Sequence, residues 1–142
     1  MITLSKGGNY ITDITTGKLK LKHTLHIKNV MSKYSKEITD KLQEVINTGT
    51  RSGRVYIIKG VRHQASAEGE PPITLSGRLS SNFGSTVNDK ETHIFNSAES
   101  DNGQPYPLFL EEGTSKMGKR PYFVNTIESF NSKIHTELGD CK

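Results

Sequence analysis

Residues 24–47, TLHIKNVMSKYSKEITDKLQEVIN, decide the fold. Ile27, Val30, Met31, Tyr34, Ile38, Leu42, Val45 and Ile46 recur at three- and four-residue steps. That period puts them on one face of a helix. Lys33, Lys36, Glu37, Asp40, Lys41 and Glu44 occupy the opposite face. Gly49, between Thr48 and Thr50, supplies the stop. The apolar stripe predicts a core-facing helix.

Upstream, residues 1–17 are polar, with Gly7-Gly8 and several threonines, and read as an arm or irregular lead-in. Lys18-Leu19-Lys20-Leu21-Lys22 alternates with period two, the pattern of a short edge strand blunted by lysines. Downstream, Arg54–Lys59 (RVYIIK) is a β-rich run between Gly53 and Gly60. Residues 61–78 hold no sustained period and predict a long loop, followed by a short turn at Gly77-Arg78-Leu79. SNFGSTV and ETHIFNS flank Asn88-Asp89-Lys90 and predict a hairpin over residues 80–97. Leu108–Glu112 suits one helical turn closed by Gly113. Phe123, Ile127, Phe130, Ile134 and Leu138 predict a last helix over residues 122–138, with Gly139 as its stop. The order predicts an α+β fold, an antiparallel sheet packed against a long N-terminal helix and a C-terminal helix. The expected organisation is an N-terminal arm and edge strand (1–23), one α+β domain (24–139) and a tail (140–142).

Composition narrows the function classes. The 142 residues are 32% apolar and lack tryptophan, and mean hydropathy is −0.59. Such a chain builds a thin core and gains stability from neighbours in an assembly. The net charge of +4 is spread along the chain, unlike the dense basic stripe of nucleic-acid proteins. The lone Cys141 forms no internal disulfide and points to a reducing cytoplasm. The N-terminus lacks the apolar segment of a signal peptide, and no run reaches membrane-spanning length.

Catalytic patterns are sparse. His23 and His26 are three apart, a spacing compatible with a metal on a helix, but no third ligand stands at motif spacing. Ser66, Ser76, Ser80, Ser81 and Ser85 sit in no G-x-S-x-G elbow, and no phosphate-binding glycine loop occurs. Glu111-Glu112 beside Gly113 reads as a solvated pair or as partners for Lys119-Arg120. The 62–79 loop carries Arg62, His63, Glu68, Glu70 and Arg78, a mixture suited to docking on a partner. Tyr106, Phe109, Met117, Tyr122 and Phe123 add aromatic and thioether surface on a Gly/Pro-rich path. Core packing explains Phe109 and Phe123 as well as contact does, so Tyr106, Met117 and Tyr122 are the expected interface residues among them.

Two segments carry a resemblance: residues 60–79, GVRHQASAEGEPPITLSGRL, and residues 105–123, PYPLFLEEGTSKMGKRPYF. A Pro/Gly loop runs into Ser76-Gly77-Arg78-Leu79; a hairpin follows, then Tyr106, Glu111-Glu112-Gly113-Thr114, Met117 and Arg120-Pro121-Tyr122. Over residues 30–138 this order resembles the tail-completion (head–tail joining, or neck) proteins of long-tailed bacteriophages. Residues 1–17 are longer and more polar than the family's usual start. The resemblance implies a non-enzymatic virion protein without cofactor or metal, made in the host cytoplasm. It implies a ring, often sixfold, between the head-side connector or head-closure protein and the tail terminator or tail tube, with DNA passing non-specifically through the lumen. A head-to-tail ring needs two different self-contact faces on each subunit. The expected contacts are Arg62, His63, Glu70, Arg78, Tyr106, Glu111, Glu112, Met117 and Arg120. The alternatives are a tail terminator or head-closure ring protein, a small nucleic-acid-binding module, and a small hydrolase uniting His63 or His93 with a serine and a carboxylate.

Overall fold

The computed structural model describes residues 2–3, 24–88 and 91–139. The expected strand at Lys18–Lys22, most of the expected arm, His23, Asp89, Lys90 and residues 140–142 lie outside the described residues. The elements run β1 (Ile2–Thr3), α1 (Thr24–Thr48), β2 (Val55–Ile58), β3 (Val61–Gln64), α2 (Arg78–Ser81), β4 (Phe83–Val87), β5 (Thr92–Asn96), α3 (Tyr106–Glu112) and α4 (Phe123–Gly139). The fold is α+β, with α1 and α4 packed against a small antiparallel sheet.

The α1 stripe builds the core. Ile27, Val30, Met31, Tyr34, Ile38, Leu42 and Ile46 are all buried. They meet Leu79, Ile94, Tyr122, Phe123, Ile127 and Ile134, while Val45, Phe130 and Leu138 pack at the margin. The apolar period of each helix thus becomes one shared interior, because α1 and α4 turn their stripes toward each other. Tyr34 and Phe130 meet edge to face at 6.3 Å between the helices. Beyond them, Glu137 accepts hydrogen bonds from Tyr34 Oη at 2.6 Å and Lys33 Nζ at 2.9 Å.

The main sheet has the order β1-β5-β4, all antiparallel. Its central strand β5 alternates, with Thr92, Ile94 and Asn96 buried and His93 and Phe95 half-buried between them. Phe83 of β4 packs beside Tyr122 and Phe123, which joins the sheet to the start of α4. Ile2–Thr3 pairs with Asn96 and Phe95, so two residues read as irregular form an edge strand of this sheet.

The expected loop over residues 61–78 begins as a strand. Val61–Gln64 pairs with β2 in register Val55↔Gln64, Tyr56↔His63, Ile57↔Arg62 and Ile58↔Val61. Lys59 (φ 51°) and Gly60 (φ 79°) connect the strands. Positive φ at both central residues is what a two-residue hairpin turn demands. Hydrogen bonding across the pair, rather than an apolar period, makes β3 a strand. This hairpin is separate from the main sheet.

Candidate assembly surface

The Glu-Glu-Gly-Thr segment closes α3 and starts α4. Pro107 and Glu111, four apart, share the buried face of α3. The Glu111 carboxylate accepts hydrogen bonds from the backbone N–H groups of Tyr122 (2.9 Å), Phe123 (3.0 Å) and Val124 (3.2 Å). A helix start leaves its first N–H groups without intrahelical partners, and a carboxylate there also complements the helix dipole. Glu111 is therefore an N-terminal cap for α4, delivered from another helix. Gly113 (φ 75°) lets the chain turn between them, and a Cβ there would lie 2.9 Å from Lys119 N. Thr114 and Met117 form a narrow bridge through reciprocal backbone bonds. Arg120 N–H donates to Leu110 O at 2.7 Å and completes the clasp.

The same clasp fixes the loop after β3. The Arg120 guanidinium donates from Nε and Nη2 to Ser66 O, both at 3.2 Å. Gly69 N–H donates to Lys119 O at 2.9 Å. Within the loop, Glu70 accepts from the Ser52 hydroxyl and from Ala67 N–H. The Ser52 hydroxyl first, and the Ala67 amide second, hold the Glu70 carboxyl below its usual range. The loop is thus ordered by polar contacts inside the chain, which is how a segment without an apolar face becomes fixed.

Loop, α2 and α3 enclose a cleft of about 450 Å³. Arg78 stands in its wall, with Nη1 donating to Asp101 Oδ1 at 2.8 Å and to Glu99 O at 3.2 Å. Asp101 holds the Arg78 guanidinium above its ordinary value. Tyr106 and Leu110, four apart on α3, also line it. Burial pushes the Tyr106 phenol up, against the opposing effect of Arg78. Leu75, exposed at 59%, and Tyr56 of β2 reach the cleft as well.

The expected contact residues separate into groups. Arg78, Tyr106 and Arg120 come together at the cleft. Arg62 and His63 stand on β3, away from that group, with His63 opposite Tyr56. Glu112 is exposed on α3, and Met117 is half-buried at the bridge. Glu70 is engaged inside its own loop. Glu111 is not a surface contact or a partner of Arg120: it is buried, and its carboxylate serves the α4 amides. Tyr122 is also corrected. It lies in the core, 1% exposed, because it begins the apolar face of α4, whereas Phe109 is exposed.

A group of exposed apolar side chains was not among the expected contacts. Val55, Tyr56, Ile57, Ile58 and Val61 all sit exposed on the β2–β3 hairpin, Ile57 at 77%. Directly opposed residues share a face, so Tyr56, Ile58, Val61 and His63 lie on one side and Val55, Ile57, Arg62 and Gln64 on the other. Both faces carry exposed apolar side chains. The unbroken run Val55-Tyr56-Ile57-Ile58 was the available signal, since a strand covered on one side only would alternate.

Chemistry-bearing side chains do not converge in the same way. His93 Nε2 lies 3.0 Å from Glu91 Oε1. Among the described residues no three His, Cys, Asp or Glu side chains are grouped to hold a metal ion. No described helix is long and apolar enough to cross a membrane. No family model, curated protein or solved structure matches this chain.

Proposed function

We propose that this chain is a structural protein of a phage neck, a tail-completion protein that forms a ring joining the head connector to the tail while DNA passes through. Its work is assembly rather than catalysis. The observation that carries this reading is the β2–β3 hairpin, whose apolar side chains are exposed on both faces. Contiguous exposed apolar surface marks a protein contact. The order of the Ser-Gly-Arg-Leu, Glu-Glu-Gly-Thr and Arg-Pro-Tyr segments selects the neck among assemblies. In the structure these segments have concrete work: they form α2, the α3–α4 clasp and the anchor of the loop. Such a rigid body suits a part that must match different partners at its two axial faces.

The test is reconstitution. Heads and tails from a phage lacking this gene product are mixed with the purified chain. Joining into infectious particles, with the chain found only at the neck, is the expected result. A chain that ignores both particles but binds bare DNA, with affinity falling steeply as salt rises, overturns the reading in favour of a nucleic-acid module.

A further inference from the structure

We propose that the cleft enclosed by the loop, α2 and α3 is a peptide-binding site that takes an acidic segment of a protein partner, a carboxylate flanked by apolar side chains. This deepens the assembly reading and rests on it, because it gives the chemistry of one partner surface.

The charges of the cleft select an anion. Its lining carries two cations, Arg78 and Arg120, and one carboxylate, Asp101. Asp101 is already paired with Arg78 at 2.8 Å, so one positive charge is left over. Arg120 makes no ion pair among the described residues. Its Nε and Nη2 are engaged by Ser66 O, and Nη1 has no partner among the described residues. Arg78 uses Nη1 alone, for Asp101 and Glu99 O, and leaves Nε and Nη2 without a partner among the described residues. A guanidinium with idle N–H groups is a planar fork that matches a carboxylate.

The rest of the lining selects what surrounds that carboxylate. Leu75, Leu79 and Leu110 supply apolar wall, and Leu75 is 59% exposed. Such surface gains from an apolar side chain laid against it. The volume of about 450 Å³ lies within the roughly 300–1,000 Å³ usual for ligand sites. The main chain favours a peptide over a small acid. Leu75 and Ser76 are exposed, and their backbone N–H groups have no acceptor among the described residues. Idle N–H groups beside an apolar wall suit the carbonyls of an extended segment.

The probe is an acetylated and amidated hexapeptide that alternates leucine and glutamate, with its glutamine counterpart as the uncharged control. Titration into the full chain is followed by the NMR signals of the Arg78 and Arg120 Nε–H groups and the Leu75 amide. The acidic peptide shifts these signals with Kd below about 1 mM. The glutamine peptide binds at least about tenfold more weakly. Leu75→Asp places a carboxylate in the cleft and lowers affinity at least about tenfold. Asp101→Asn has the opposite sign, because it frees Arg78 from a competing carboxylate and tightens binding about threefold. Both side chains are exposed, so each variant keeps the fold, as circular dichroism will verify. A damaged fold weakens binding in either variant, so the gain in Asp101→Asn reads charge alone.

The proposal is overturned by signals that stay fixed up to about 5 mM peptide, by equal binding of the two peptides, or by weaker binding in Asp101→Asn. It is also overturned by octanoate binding as tightly as the peptide, which makes the cleft a site for small apolar acids. No phage particle enters this assay. A chain that binds the peptide in this manner but fails to join heads to tails defeats the neck reading alone. Full joining by Leu75→Asp, with its peptide binding lost, defeats the cleft as a partner contact alone.

Discussion

Glu111 Oε2 stands 2.9 Å from the amide nitrogen of Tyr122, so the start of α4 is capped by a side chain eleven residues upstream on α3. The two helices are therefore one unit, and a local substitution at Glu111 acts on both. Glu111→Ala strips a buried charge-assisted acceptor from three N–H groups, a loss of about 2–3 kcal/mol. Glu111→Gln keeps an oxygen acceptor and loses about 1 kcal/mol. Urea denaturation of the three proteins gives the ranking, and equal losses for Ala and Gln contradict the capping role.

Arg120 is expected to separate local from global stability. Its guanidinium holds Ser66 O, and both residues line the cleft. Arg120→Ala lowers global stability by about 1 kcal/mol. Amide hydrogen exchange over residues 65–70 quickens well beyond that, while α1 amides change only by the global loss. Uniform acceleration along the chain speaks against Arg120 as the loop's anchor.

Tyr122 offers an opposite sign. Its hydroxyl is buried and has no hydrogen-bond partner among the described residues. Burial first, and the Glu111 charge second, raise its pKa. Tyr122→Phe removes an unsatisfied polar group and keeps the ring against Phe83 and Phe123. The expected change is between zero and about 1 kcal/mol of added stability. Thermal unfolding decides it, and a clear loss of stability implies a hidden partner for the hydroxyl.

The helix–helix contact at Glu137 gives a pH signature. Hydrogen bonds from Tyr34, then from Lys33, hold the Glu137 carboxyl below its ordinary 4.5. A depressed folded-state pKa means the unfolded chain takes up the proton first. The contribution is therefore present above about pH 4.5 and fades as pH falls through the lower folded value. Glu137→Gln flattens this part of the acid limb. Titration of stability from pH 6 to pH 2, roughly the span of carboxylate protonation, provides the comparison, and superimposable acid limbs reject the assignment.

Much of the architecture was legible because helices announce themselves by period. The α1 stripe from Ile27 to Ile46 and the α4 stripe from Phe123 to Leu138 need only a partner to become a core. The β4–β5 hairpin was legible from the turn cluster at Asn88 and from alternation in β5. Strand β3 was hidden, since Val61-Arg62-His63-Gln64 has one apolar residue and no partner on the core side. Gly60 after Lys59 was the one local hint. Adjacent Glu111 and Glu112 look alike in sequence. Only the phase of the short helix, set by Pro107 on its buried face, turns the first inward and the second outward. The same phase turns Phe109 outward, whereas Tyr122 enters the core with the start of α4. The cleft was illegible for a different reason: Arg78, Tyr106 and Arg120 meet through loop contacts that no period encodes.

The bond from Arg120 to Ser66 spans 54 positions of sequence. On a ribosome the 66–70 loop emerges long before its anchor exists. Helix α1 likewise waits for Glu137, 104 positions after Lys33. A nascent chain consequently holds neither the Ser66 contact nor the Lys33 contact until Arg120 and Glu137 have been made. The order of translation thereby makes the cleft wall around Ser66 one of the last parts of the fold to be fixed.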